Sequence, residues 1–316
     1  MKSRRMYTLK ITRDEFEKNP RIPFTQLHEK VKKIVGVKMR DTTRRYILWG
    51  FKNGTIGPPR PVLKYHTDVH QHVHFIEGDL IDFESIVSSI GNIRYACALS
   101  GSTECIMYTT FSPRGEDLLF QAFTNADGYN KDERFSLKKL VFPEKEEPEI
   151  LNINSHSLNW DEKDWRLFEI LSPDFRMKYS DMSKQVNLGW RPIKTRIEKK
   201  ILPACHIAAY LFPNGQHNYQ QLYLHFRTDF IGNFVRKLNY MQTTTYFLVS
   251  EKNTVGVFMF PENINNILKV FKKIEKEGII DDFRYFLPLA WYHTVESSWP
   301  RASTWSSFTE GIHFSI

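Results

Sequence analysis

Three amphipathic runs follow one another in residues 159–202, NWDEKDWRLFEILSPDFRMKYSDMSKQVNLGWRPIKTRIEKKIL. Trp165, Phe168 and Leu171 recur at three-residue steps, which predicts a helix from Asp161 to Leu171 with one apolar face. Asn159 stands where an N-cap is expected, acids fill the first turn, and Ser172-Pro173-Asp174 ends the run. A second helix, capped by Ser180, turns Met182 and Val186 inward. Asn187-Leu188-Gly189 reads as a tight turn. A third helix opens near Arg191-Pro192, because proline suits a first helical turn. Its inward positions are Ile193, Ile197 and Ile201, which leaves Arg191, Lys194, Arg196 and Lys199 outside. This is a helix–turn–helix plan, whose second helix enters a DNA major groove.

Residues 12–56 repeat the plan in weaker form. Thr12-Arg13-Asp14-Glu15 starts a short helix that stops at Asn19-Pro20. Phe24, Leu27, Val31 and Ile34 then mark an amphipathic helix, broken by Gly36. KMRDTTRRYILWGF follows as the candidate recognition helix, with Ile47, Leu48 and Phe51 facing inward. Lys38, Arg40, Thr42, Thr43, Arg44 and Arg45 crowd its early part. Arginine can read guanine edges or hold phosphates, and threonine can touch either. FKNGTIGPPRPV supplies a turn and an extended basic piece that fits a wing.

Each helical block precedes a mixed one. HQHVHFIEGD alternates as a strand does, LIDFESIVSSIG reads as a helix, and NIRYACALSGSTECIMYTTFS as two strands around Ser-Gly-Ser. GEDLLFQAFTNADGY reads as a second helix and ERFSLKKLVFP as a closing strand. The later block runs QQLYLHFR (strand), FIGNFVRKLNYM (helix), TTTYFLVS and TVGVFMFP (strands), ENINNILKVFKKIEKEG (helix) and DDFRYFLPLAWY (strand). Both give the order βαββαβ of a ferredoxin-like fold, so the fold class is α+β.

Charge sharpens this picture. The chain of 316 residues carries a net +8, but residues 1–70 hold 17 Lys+Arg against 6 Asp+Glu, whereas residues 71–150 hold 7 against 14. Positive charge therefore gathers on the first helical block, as phosphate binding requires. Hydrophobic residues make up 41% of the chain, enough for packed cores, and no run of about 18 apolar residues predicts a membrane span. The start, MKSRRMYTLKITRDEF, has no apolar signal core. Cys97, Cys105 and Cys205 form no CxxC pair and read as reduced structural residues, so a cytoplasmic protein is expected.

The order of elements resembles the Lrp/AsnC, or feast/famine, family of transcriptional regulators. Their helix–turn–helix opens on Asp-x-x-Asp, matched by Asp161 and Asp164. Leu188, Ile193, Arg196 and Ile197 match the recognition helix, from which Gly189 and Pro192 depart. The resemblance implies a winged helix–turn–helix followed by a βαββαβ ligand domain, often called RAM, here in tandem. Residues 1–61 form the first head, 62–145 the first RAM-like domain and 146–158 a linker. Residues 159–202 form the second head, 203–293 the second RAM-like domain and 294–316 a tail. The family dimerises, so a fused chain makes an intramolecular pseudo-dimer, with a further homodimer left open.

The expected partner is double-stranded DNA, contacted by Lys38, Arg40, Thr42, Thr43, Arg44 and Arg45 of the first head. Trp190, Arg191, Lys194, Thr195 and Arg196 serve the second. The resemblance also implies a small-molecule effector, with Gly101 in the family's turn-glycine position; no such glycine occurs in the second copy. No cofactor is expected. His70, His72 and His74 would share one face of a strand, a candidate metal site set against the plainer reading of a polar sheet face. Alternate strand positions lie about 6.6 Å apart, wide for three ligands on one ion. No Ser-His-Asp, Cys-His, paired-carboxylate or P-loop arrangement is visible, though such groups converge only in the fold; the basic first block is what makes the chain read as a regulator rather than an enzyme. Two alternatives stay open. One is a sirohaem-decarboxylase-like tetrapyrrole enzyme, which the same architecture can host; the other is an effector-binding scaffold without DNA contact.

Overall fold

The structure is a computed structural model that describes residues 2–66, 69, 71–78, 83–90, 93–110, 116–123, 157–238, 241, 243–250, 253–293 and 313–314. The elements are α+β, and the chain folds into two compact units, each drawing on both halves of the sequence. Met1–Lys64 joins Leu158–His217 in one, and Tyr65–Ser157 joins Asn218–Thr294 in the other.

The first unit is the helical one. Helices α1 (Lys2–Lys18), α2 (Phe24–Val35) and α3 (Arg40–Lys52) make one three-helix body. Helices α5 (Glu162–Leu171), α6 (Tyr179–Val186) and α7 (Trp190–Arg196) make the other. The first helix is longer than its sequence start signal at Thr12 suggested. Helix α3 buries Thr43, Ile47 and Gly50, whereas Leu48, expected inside, is exposed. Gly50 lets α3 approach α1, since a Cβ there would lie 2.6 Å from a methyl of Leu9. In the second body Ile193, Ile197 and Ile201 are fully buried, as their spacing predicts. Helix α7 runs on through a π turn (Ile197–Ile201) into α8 (Leu202–Ala204). At that turn the Leu202 N–H donates to the Ile197 carbonyl, five residues back.

The caps differ from the sequence expectation. Asp161, not Asn159, is the N-cap of α5, and it forms a reciprocal capping box with Asp164. Asn159 takes a left-handed φ of 47° ahead of it. Lys178, not Ser180, precedes α6.

The segment after α3 forms one half of a two-stranded ribbon. Strand β1 (Arg60–Leu63) pairs antiparallel with β6 (Cys205–Ala208). Backbone bonds extend the ribbon from Gln216 N–H to the Gly54 carbonyl at one end and from Lys64 N–H to the Ala204 carbonyl at the other. Pro59 and Pro61 suit it because a two-stranded ribbon consists of edges only. Arg60 is consequently buried beside the Tyr210 ring.

The second unit is a closed antiparallel ring. The first repeat supplies β2 (His72–Glu77), α4 (Phe83–Ser89), β3 (Ile93–Gly101), β4 (Glu104–Thr110) and β5 (Glu116–Phe123). The second supplies β7 (Leu222–Arg227), α9 (Ile231–Leu238), β8 (Tyr246–Ser250), β9 (Thr254–Met259), α10 (Ile264–Lys276) and β10 (Asp281–His293). Each repeat lays its strands in the ferredoxin-like order: β3-β4-β2-β5 in one and β8-β9-β7-β10 in the other. The two sheets join at both edges, β5 to β8 and β10 to β3, so eight strands close on themselves. A short β11 (His313–Phe314) adds to β10.

One element departs from expectation. The pattern of GEDLLFQAFTNADGY predicts a helix, yet Glu116–Phe123 is strand β5, in the fourth-strand place beside β2. The closing strand expected at ERFSLKKLVFP lies outside the described residues. In the second repeat all six elements fall where the pattern puts them.

Alternation sorts the side chains. Outward positions of the second repeat, among them Leu224, Phe226, Phe247 and Val257, pack under α9 and α10 through Phe234, Val270 and Phe271. Ala96, Ala98 and Ile106 pack under α4 with Phe83 and Val87. Inward positions fill the ring with aromatics. Tyr223 stands 4.5 Å from Phe258 and 5.9 Å from Phe286, and Tyr95 meets Phe258 edge-on at 6.3 Å, all centroid to centroid.

Candidate functional site

Helix α3 carries the outward charge. Its apolar positions pack on α1 and α2, which turns Arg40, Arg44 and Arg45 to solvent, with Lys38 exposed in the preceding turn. Among the described residues none of these four cations forms an ion pair. Arg45 donates to the Thr42 hydroxyl at 3.3 Å, and Arg40 lies 5.9 Å over the Phe24 ring. Thr43 belongs to the core instead. It is fully buried, 2.9 Å from His28 Nδ1, and cannot face a partner.

Helix α7 differs. Trp190 is 54% exposed at its start, with the Arg191 guanidinium 5.3 Å over the ring. Lys194 and Thr195 are exposed, and Lys194 reaches Glu198 at 3.7 Å. Arg196 is turned back to α5, where it donates to both Asp161 oxygens at 2.8 Å and to Asp164. Lys200 also meets the fully buried Asp164. The Arg196 hydrogen bond holds the Asp161 carboxyl down at about 2. Arg196 thus positions α7 on α5 rather than facing outward.

The remaining sequence candidates lie in the second unit. His72 and His74 share the outer face of β2, with ring centroids 6.3 Å apart, and His70 lies outside the described residues. Burial, then the neighbouring His72, lowers the His74 pKa. Among the described residues no group of three or more His, Cys, Asp or Glu side chains could hold a metal ion. Gly101 is not in a turn but at the end of β3, opposite Phe286. A Cβ there would lie 2.3 Å from the Tyr285 carbonyl oxygen, so its open side is filled by backbone rather than offered to a ligand. The cysteines are free and buried, and burial pushes all three thiols up.

Sequence reasoning missed a cluster at one end of the ring. The Phe75 ring, 37% exposed, lies 4.8 Å from His225. His225 is the cross-strand partner of Arg284, and Arg284 reaches Glu77 at 2.7 Å. These four residues come from three strands, and no spacing links them. It also missed Arg21 and Arg176. Each lies in the loop after the first helix of its body, and that shared place was the available signal.

No protein-family model and no curated protein matches the chain. Among solved structures it is similar to the siroheme decarboxylase NirDL, at 12% identity and a TM-score of 0.46, covering 88% of this chain and 89% of that one. It is similar also to NirDL in complex with an iron-uroporphyrin III analogue, at 11% identity and a TM-score of 0.44, covering 87% and 90%.

Proposed function

We propose that the chain is a cytoplasmic, sequence-specific regulator that binds double-stranded DNA through α3 and α7. The observation that carries this reading is the set of four exposed cations, Lys38, Arg40, Arg44 and Arg45, none of them ion-paired among the described residues, on the second helix of a helix–turn–helix and its turn. Cations in that place neutralise phosphates while the helix reads base edges. Two such bodies in one unit supply two heads from one chain, and a small effector would tune them. No described helix is long and apolar enough to cross a membrane.

The test is binding to duplex DNA over a salt series. Four phosphate contacts give a slope of log affinity on log salt of about −3.6. No binding at low salt overturns the reading.

A second reading is a tetrapyrrole-binding enzyme. What favours it is the cluster of Phe75, Glu77, His225 and Arg284, where a ring face, an imidazole and a guanidinium could hold a carboxylated macrocycle. Titration with uroporphyrin, followed by its absorption band, separates the two. A band shift that Arg284→Ala and His225→Ala abolish, together with no DNA binding, replaces the regulator by the enzyme.

A further inference from the structure

The two heads are built with opposite electrostatics. Among the described residues the cations of α3 have no acid partner. On α7 and its continuation acids answer the cations: Arg196 is held by Asp161 and Asp164, Lys200 by Asp164, and Lys194 lies 3.7 Å from Glu198. That leaves Arg191, drawn over an aromatic ring, and Lys199. The exposed feature of α7 is instead the indole of Trp190, more than half open to water at the leading end of the helix. An indole in that place costs hydration in the free protein, and among the described residues its ring is met by the guanidinium of its own neighbour Arg191.

We propose that the heads divide the work on one duplex: α3 grips phosphates, and Trp190 of α7 reads the C5-methyl of thymine in the major groove. This rests on the DNA reading and goes beyond it by assigning a base-specific contact. The thymine methyl is the one apolar group in the major-groove pattern, so a ring with little net charge behind it discriminates there by removing two apolar surfaces from water. A phosphate grip and an apolar reader make different demands. The first depends on salt and ignores sequence; the second does the reverse. Unlike heads also imply an asymmetric site filled by a single chain, rather than a palindrome.

The experiment uses the full chain. Duplexes are selected from a random pool with wild type, Arg44→Ala/Arg45→Ala and Trp190→Ala. Affinity for the best duplex is then measured across salt, with each thymine replaced in turn by deoxyuridine. The double arginine variant should flatten the salt slope by about 1.8 and keep the selected sequence. Trp190→Ala should keep the slope and lose selection at one position. There, removing the methyl should weaken wild type about fourfold and leave the variant unchanged. Trp190→Gln serves as a second variant, and an unchanged thermal melt shows that an exposed position was altered without unfolding.

Deoxyuridine without effect on wild type at every thymine overturns the proposal while the DNA reading stands. So does an equal loss in wild type and variant. Failure of wild type to bind any duplex removes the DNA reading and the division of work with it.

Discussion

Arg21 and Arg176 exchange equivalent bonds across the two helix–turn–helix bodies. The Arg21 guanidinium donates to the carbonyls of Phe175 and Met177, at 2.7 and 2.9 Å, which flank Arg176. Arg176 donates to the carbonyls of Pro20 and Ile22, at 3.0 and 3.1 Å, which flank Arg21. Each also lies over an aromatic ring, Arg21 on Tyr179 at 4.2 Å and Arg176 on Phe16 at 4.9 Å. This is an isologous contact made by two non-identical sequences in one chain.

Removing either arginine should therefore loosen both bodies. Each forms two charge-assisted bonds in a half-buried place, so Arg21→Ala or Arg176→Ala should cost about 2 kcal/mol in urea unfolding. At Arg21, where Nη1 and Nη2 each take one carbonyl, lysine should not rescue, because one ammonium cannot span both as a planar fork does. Full rescue by Arg21→Lys would show that charge, not the fork, matters.

The Asp161–Arg196 pair gives a signed acid dependence. Its carboxyl titrates near 2 in the folded protein against an ordinary 3.8, so the pair stabilises fully above about pH 4, and its contribution is lost as pH falls toward 2. Arg196→Ala should return the Asp161 titration, followed by carboxyl NMR, toward its ordinary value. It should also destabilise by about 2 kcal/mol, because the buried Asp164 then loses one of its two cations and keeps Lys200 and the capping bond from the Asp161 N–H. A loss of DNA selectivity with no loss of stability would instead put Arg196 in the groove.

Glu17 acts in the opposite sense. Burial pushes its carboxyl up from 4.5 to about 7, against the pull of Arg13. Between those values the folded state holds a proton that the unfolded state has released, so stability falls as pH rises from about 4.5 to 7 and levels off above. Glu17→Gln keeps a neutral group there at every pH. Urea midpoints of the variant should lose that part of the slope between pH 5 and 7; an unchanged slope would refute the assignment.

Two glycines of the ring should respond unequally to alanine. At Gly256 the new methyl would meet the Tyr223 hydroxyl at 2.5 Å, a side-chain atom, so Tyr223→Phe should recover part of a loss of about 1–3 kcal/mol. At Gly101 it would meet the Tyr285 carbonyl oxygen at 2.3 Å and the Phe286 Cα at 2.9 Å, where β10 passes from β7 to β3. Backbone cannot step aside there, so Gly101→Ala should cost more and resist rescue by any side-chain change. Thermal melts of the three variants check the order.

Much of this was legible in the sequence. The isoleucines of α7 and the whole second repeat were fixed by spacing strong enough to allow one reading. In the first repeat EDLLFQAF fits two periods. Leu118, Phe120 and Ala122 alternate, while Leu118, Leu119 and Ala122 also share a helical face. The vacant place between β2 and β8 decides for the strand, and no local pattern contains that information. Thr43 looked like a groove contact because it lies among arginines; only the fold brings His28 to it, fifteen residues away in sequence. The cation set of α3 was visible, but the neutralisation of α7 was not, since Arg196 meets Asp161 across 35 residues.

The double closure of the ring has an evolutionary consequence. A freshly duplicated chain with two equal sheets could still trade partners with its ancestor, each copy offering the same pair of strand edges. Once β5 is committed to β8 and β10 to β3 inside one molecule, those four strand edges are taken. From that point each copy answers only to its own sibling. One can hold Arg196 and Lys200 against acids, while the other keeps an open basic helix, without either change being imposed on both halves of the assembly.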